Sequence, residues 1–247
     1  MGRFSTRTIS RYMVMLNFAC VFYGDKYSKP PTDPWSYVRN LYNMVERNLT
    51  IPYRFICFTD NIIIHKRKEF KGKDIEFRQF KRHDFEGWFN KLQLFSPQSE
   101  LDGDTLYMDL DVVIMKNIDD MATIGESKNF VGMNDFNPSS GLFNSSIMRF
   151  NNKYHNIIWN EYMKRRGDFS KCHGDQEIIS QIIKDKEDTL SFPNEWTQSY
   201  KWLNRKGDRY HISKQTYEQD PNAKVCIFHG YPNPHDSKVE WVKNLWF

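Results

Sequence analysis

The chain is 247 residues long, room for one large or two small domains. Its 35 lysines and arginines against 31 aspartates and glutamates leave a formal net charge of +4, too mild to announce a nucleic-acid or membrane protein. Hydrophobic residues make up 39% and aromatics 16%, enough to fill a packed core, which excludes global disorder, while 12 glycines and 10 prolines are too few for a fibrous chain.

The first apolar run, Met13–Phe22, follows Arg3, Arg7 and Arg11. Asn17 interrupts it, it falls far short of the roughly 20 residues that span a bilayer, and no small-residue cleavage site follows at Phe22-Tyr23-Gly24-Asp25. The pattern therefore predicts a buried strand over Tyr12–Tyr23 in preference to a signal peptide. Cys20, Cys57 and Cys226 each sit inside a strand-like run, where cysteine serves as a small hydrophobe, and their spacing matches neither a zinc site nor a disulfide framework. Cytoplasmic residence is the expectation.

Beyond this strand, Asp33 and Pro34 read as the N-cap and first position of a helix over Trp35–Arg47. Strands follow at Arg54–Thr59 and Ile75–Phe80, a helix at Trp88–Phe95, and a strand at Thr105–Met115. Further strands are expected at Asn129–Met133 and Gly141–Phe150, helices at His155–Arg166 and Gln176–Lys184, and a last strand at Ala223–Phe228. This alternation predicts a single α/β domain over residues 1–247, with a mainly parallel central sheet flanked by helices.

The most informative segment is Leu106-Tyr107-Met108-Asp109-Leu110-Asp111-Val112. Side chains alternate along a strand, so Asp109 and Asp111 would share one face and leave Leu106, Met108 and Leu110 on the other. Buried carboxylates need a cation, and no lysine or arginine lies closer in sequence than Lys116. A hard divalent ion, Mn²⁺ or Mg²⁺, resolves this, and such ions commonly hold substrate phosphates as well. The nearby Asp102-Gly103-Asp104 reads as a solvated turn. Along the helix at Trp88–Phe95, Lys91 falls on the stripe of Trp88, Leu92 and Phe95, where its amine must snorkel outward or meet an anion. Tyr23-Gly24-Asp25-Lys26-Tyr27 and Phe58-Thr59-Asp60 end two strands, the place where nucleotides bind in open α/β sheets, which makes Tyr23, Gly24, Tyr27 and Asp60 candidate contacts.

Leu106–Ile114 resembles the metal-binding Asp-x-Asp strand of GT-A-fold glycosyltransferases. Trp88-Phe89-Asn90-Lys91-Leu92 before it, Phe143-Asn144-Ser145-Ser146-Ile147-Met148 and Gly174-Asp175-Gln176 after it, and Phe228-His229-Gly230 complete an ordered set similar to the glycogenin-like family 8 retaining enzymes and their uncharacterised bacterial and viral relatives. The resemblance covers Tyr23 to His235 and implies a Rossmann-like GT-A domain that moves a sugar from a nucleotide-sugar donor, most often a UDP-sugar, to a hydroxyl acceptor. It implies Asp109, Asp111 and His229 as metal ligands, with Asp109 also near the donor ribose. Lys91, Asp135, Asn144 and Ser145 become donor contacts, and Leu110 and Gly230 lie within the matched segments. Asp175 and Gln176, with Lys91, become the residues beside the reacting carbon, although Asp175 could equally cap the helix it begins.

The chain departs from that pattern at Asn233, where the family carries a lysine that grips the diphosphate; either Lys91 or Lys238 compensates, or stabilisation of the leaving group is weaker. Two other functions fit parts of the sequence. The basic residues His65-Lys66-Arg67-Lys68, Lys71, Lys73, Arg78, Lys81 and Arg82, with Lys164-Arg165-Arg166, fit a nucleic-acid partner or a modified DNA base as acceptor, although charge runs are usually solvated faces. A catalytically silent, lectin-like module is disfavoured by the intact Asp109, Asp111 and His229.

Overall fold

The computed structural model describes residues 15–24, 33–61, 63, 66–125, 129–137, 140–202 and 218–247. Strand β1 (Leu16–Phe22) is buried along its whole length, Asn17 included, whose amide donates to the Asp102 carbonyl at 2.8 Å and accepts from Arg54 at 2.5 Å. Helix α1 (Ser36–Asn48) buries Tyr37, Val38, Leu41, Met44 and Val45, the stripe that a 3.6-residue period produces. Asp33 does serve its start: its carboxylate accepts from the Trp35 amide at 3.3 Å and its carbonyl from the Ser36 amide at 3.0 Å. Strands β2 (Tyr53–Thr59) and β3 (Ile75–Gln79) follow. The segment expected as an ordinary helix is a 3₁₀ helix, Gly87–Phe95.

The strand expected over Thr105–Met115 is broken. Strand β4 (Thr105–Met108) ends at Asp109, a turn carries Leu110 and Asp111, and β5 (Val112–Ile114) continues in a different sheet. After α2 (Asp119–Thr123) come β6 (Phe130–Asn134), β7 (Phe143–Phe150), α3 (Asn152–Lys164), α4 (Asp175–Ile183), β8 (Thr189–Ser191), β9 (Thr197–Ser199), β10 (Val225–Ile227) and α5 (Glu240–Leu245). The main sheet has the order β3-β2-β1-β4-β7-β6-β8, and its only antiparallel pairs among the described residues are those β7 makes with β4 and β6. One buried cluster joins Phe18, Cys20 and Phe55 to α1; the other joins Ala19, Val21 and Ile56 to α3, α4 and the 3₁₀ helix. Cys20, Cys57 and Cys226 are buried free thiols. No helix among the described residues is long and apolar enough to cross a membrane.

Two features of this frame position the site. The small sheet β5-β10-β9 pairs Ile227 with Val112, so the end of the chain is laid beside the Asp109–Asp111 turn. In β7, adjacent Gly132 and Met133 of β6 face Met148 and Asn144, so Ser145–Ile147 are extra chain in a bulge, a device that re-aims side chains. Gly132 is needed there, because a Cβ would lie 2.6 Å from the Phe143 ring.

Among the α3 side chains, His155 is buried against Phe95 and Phe150. Burial lowers its pKa to about 4, with Asp102 opposing the shift weakly. The folded value lies below the unfolded one of about 6.5, so the native state loses stability as pH falls from 6.5 through 4, by about 3 kcal/mol in all. His155→Leu should flatten this acid limb, read as the difference between variant and parent urea unfolding free energies at pH 7, 5.5 and 4.5. A difference that does not change with pH would mean that the ring takes a proton freely in the native state.

Candidate functional site

Strands β1 and β4 are parallel neighbours, and β7 runs against β4, so the last residues of β1 and β4 and the first of β7 meet at one sheet edge. A cavity of about 1290 Å³ opens there, the side on which open α/β sheets bind ligands. Of the residues singled out from sequence, Tyr23, Lys91, Asp109, Asp111, Asn144, Ser145, Asp175, Gln176, His229 and Gly230 line it. Gly24 and Asp60 do not: the Gly24 amide donates to the Asp60 carboxylate at 2.7 Å, tying the end of β1 to the end of β2. The Leu110 side chain belongs to the hydrophobic core, and Tyr27 lies outside the described residues. Asp135 sits behind the cavity wall, where its carboxylate accepts from Gln176 Nε2 at 2.7 Å.

One wall is organised by Lys91. The turn at Gly87 starts the 3₁₀ helix, whose buried Leu92, Leu94 and Phe95 hold it against the core and leave Lys91 facing the cavity. Its ammonium, 7% exposed as a residue, stands 3.0 Å from Asp109 Oδ1, 3.0 Å from Asp175 Oδ2 and 3.1 Å from Ser145 Oγ. Ser145 Oγ donates to Asp175 Oδ2 at 2.7 Å, and Tyr107 Oη donates to Asp109 Oδ1 at 2.6 Å. Burial alone would depress the amine, but the two carboxylates override it and hold its pKa above the usual lysine value. Burial and the same carboxylates keep the Tyr23 and Tyr107 phenols protonated well beyond the ordinary tyrosine range. Asp175 occupies the first turn of α4 without capping it; its carboxylate is spent on Lys91 and Ser145. The cation that Asp109 requires is thus a lysine from another element, so the premise that the pair lacks a basic partner is corrected for Asp109.

The other wall carries Asp111, His229 and Gly230. The Phe228 amide donates to the Asp111 carbonyl at 3.2 Å and the Gly230 amide to Asp111 Oδ2 at 3.3 Å. His229 has a left-handed backbone with φ of 54°, and its ring stacks on Trp202 with centroids 4.3 Å apart. Lys201, which the sequence did not single out, donates from Nζ to the His229 carbonyl at 2.7 Å, and Tyr37 Oη meets His235 Nδ1 at 2.5 Å. Asn233 and Lys91 line the cavity, whereas exposed Lys238 does not.

Two carboxylates and an imidazole are a suitable donor set for Mn²⁺, and all three line this cavity. Among the described residues, however, no three His, Cys, Asp or Glu side chains are gathered tightly enough to hold an ion as they stand. The charge balance points the same way as the donor set: among the described residues, Asp109, Asp111, Asp175, Glu177 and Asp236 line the cavity against the ammonium of Lys91, with that of Lys201 close by at the His229 carbonyl. The arginines of the basic runs, by contrast, are answered within the chain. Arg67 pairs with Asp33 and Glu69, Arg78 with Glu76, Arg82 and Arg166 with Asp84, and Arg165 with Glu161 and Asp168.

Replacing Lys91 by methionine keeps the bulk and strands two carboxylates. Lys91→Met should lower the unfolding free energy at pH 7 by about 3–5 kcal/mol, the usual penalty for breaking a buried pair from one side. Urea unfolding checks this, and a loss under about 1 kcal/mol would mean that water already solvates the carboxylates.

No family profile and no curated protein matches the chain. Solved structures do. The glycosyltransferase GlyE of Streptococcus pneumoniae TIGR4 matches with a TM-score of 0.59 and 12% identity, over 94% of this chain and 60% of GlyE. The galactosyltransferase LgtC, solved with donor and acceptor sugar analogues, matches with a TM-score of 0.59 and 14% identity, over 93% of this chain and 94% of LgtC. The bifunctional glycosyltransferase WbbM matches with a TM-score of 0.60 and 12% identity; this chain spans 51% of it. The α/β architecture with its parallel-rich sheet is therefore the GT-A glycosyltransferase fold.

Proposed function

We propose that the chain is a metal-dependent glycosyltransferase that takes a sugar from a nucleotide-sugar donor, a UDP-sugar above others, and transfers it with retention to a hydroxyl acceptor. The observation that carries this reading is the single cavity at the strand ends, with Asp109, Asp111 and His229 on its walls together with Lys91, Asp175 and Gln176. Among the described residues its five carboxylates outnumber the Lys91 ammonium, which favours entry of an anionic donor together with a divalent ion. Asp109, Asp111 and His229 would hold Mn²⁺, which when bound would offset charge on the departing nucleoside diphosphate.

The chain's own residues account for the rest. Gln176, anchored by Asp135, and Asp175, anchored by Lys91 and Ser145, present amide and carboxylate oxygens that stabilise positive charge developing on the sugar carbon. Lys91 holds that carboxylate in place. Asn144, at the start of the β7 bulge, offers an amide to sugar hydroxyls. Tyr23 closes the β1 end of the cavity with a protonated phenol.

A screen of nucleotide sugars for nucleoside diphosphate release, with and without Mn²⁺, tests the reading; no release from any donor in either condition would overturn it. Asp111→Asn removes a charge at nearly constant shape and should abolish Mn²⁺-dependent release while the melting curve keeps its cooperativity. Undiminished activity in that variant would remove Asp111 from the metal set. His229→Ala should weaken Mn²⁺ binding at least tenfold, measured by electron paramagnetic resonance without donor. Chelation should raise the donor dissociation constant at least about tenfold, or about 1.4 kcal/mol, in calorimetry; a constant unmoved by chelation counts against the metal.

A further inference from the structure

Resting on that reading, we infer that the indole of Trp88 is the stacking platform of an acceptor subsite built for a neutral sugar. Three observations carry the inference, and the first is space. Pockets for one small ligand usually measure roughly 300–1,000 Å³. This cavity, at about 1290 Å³, has room left for a second substrate once a donor is in it.

The second is the unusual exposure of aromatic surface at this cavity. Trp88 is 59% exposed and Tyr231 is 81% exposed, and both line it. The sequence around Trp88 does not account for this, since the same 3₁₀ helix buries Leu92, Leu94 and Phe95 in the core. Trp88 stands three residues before Lys91, and side chains so spaced eclipse one another on a 3₁₀ helix, so indole and ammonium face the cavity together. Gly174 lies beside the ring: a Cβ there would sit 3.9 Å from Trp88 Cε3, and Asp175 is the next residue. A pyranose resting its C–H face on the indole, which is electron-rich above the ring, would therefore stand next to Asp175.

The third is charge. Carboxylates accept hydrogen bonds and donate none, which suits a ligand rich in hydroxyls. Among the described residues, Asp109, Asp111, Asp175, Glu177 and Asp236 outnumber Lys91 on the walls, even with the nearby Lys201 ammonium counted. A divalent ion and the donor diphosphate largely cancel each other, so the excess of carboxylates persists when the acceptor arrives. A uronic or sialic acid would meet it as a like charge; a neutral hexose would not.

The test uses the full-length protein with whichever nucleotide sugar releases diphosphate. Methyl glucosides, methyl galactosides, maltose and lactose are compared with methyl glucuronide and sialyllactose as accelerators of that release. Neutral glycosides should accelerate it, and the acidic ones should fall at least tenfold lower in kcat/KM. Trp88→Ala should raise KM for the best neutral glycoside at least tenfold with kcat changed less than threefold, and Trp88→Tyr, which keeps a ring, should restore KM to within threefold of the parent. Preference for the acidic sugars, no acceleration by any neutral glycoside, or an unchanged KM in Trp88→Ala overturns the inference while diphosphate release still supports the transferase reading. Absence of release from every donor overturns both.

Discussion

The Lys91 ammonium is the contact on which the site depends. It draws together the 3₁₀ helix that carries it, the end of β4 through Asp109, the start of α4 through Asp175, and β7 through Ser145. Each of these groups would be expensive to bury alone, and together they satisfy one another. The wall is therefore held by the chain's own contacts, and on the proposed reading a sugar would meet oxygens already aimed. Such preorganisation is what electrostatic catalysis requires, because no reorganisation remains to be done at the moment of reaction.

The opposite wall depends on a strand that changes sheets. Because β4 stops at Asp109 and β5 starts at Val112, the intervening turn belongs to neither ladder, and its carbonyl and carboxylate are free to accept the Phe228 and Gly230 amides. Pairing of β5 with β10 then brings a residue from the end of the chain to the middle of it. A left-handed backbone at a non-glycine residue such as His229 is disfavoured locally and persists where its surroundings over-determine it. Here the Lys201 bond to its carbonyl, the Trp202 stack and the edge contact with Phe136 do so.

Much of this was legible in the sequence, for identifiable reasons. Long periodic segments such as β1, α1 and α3 announce themselves through burial patterns, and the alternation of strand and helix is enough to call an α/β fold. The three-residue strands β8, β9 and β10 are too short to show a period; β10 was read only because the apolar run around it is longer. The direction of β7 was invisible, since side chains alternate identically in parallel and antiparallel strands. The carboxylate pair was found on a premise that only half holds: Asp109 has its cation in Lys91, and the continuous strand invoked for the pair is a strand followed by a turn. Lys201 and the Tyr37–His235 contact gave no signal, because each joins segments distant in sequence through residue types that are ordinary on a surface.

The two walls are coupled through Asp109. Both contacts found for its Oδ1, the Lys91 ammonium and the Tyr107 hydroxyl, belong to the Lys91 wall, yet on the proposed reading the same carboxylate is also a metal ligand. Negative charge on one carboxylate shared between an ammonium and a divalent ion binds each less strongly than it would bind either alone. On that reading, an ion held there would loosen Lys91 from Asp109 and leave it bound more exclusively to Asp175 and Ser145, so that the metal end of the cavity would be felt at the Asp175 end through one side chain.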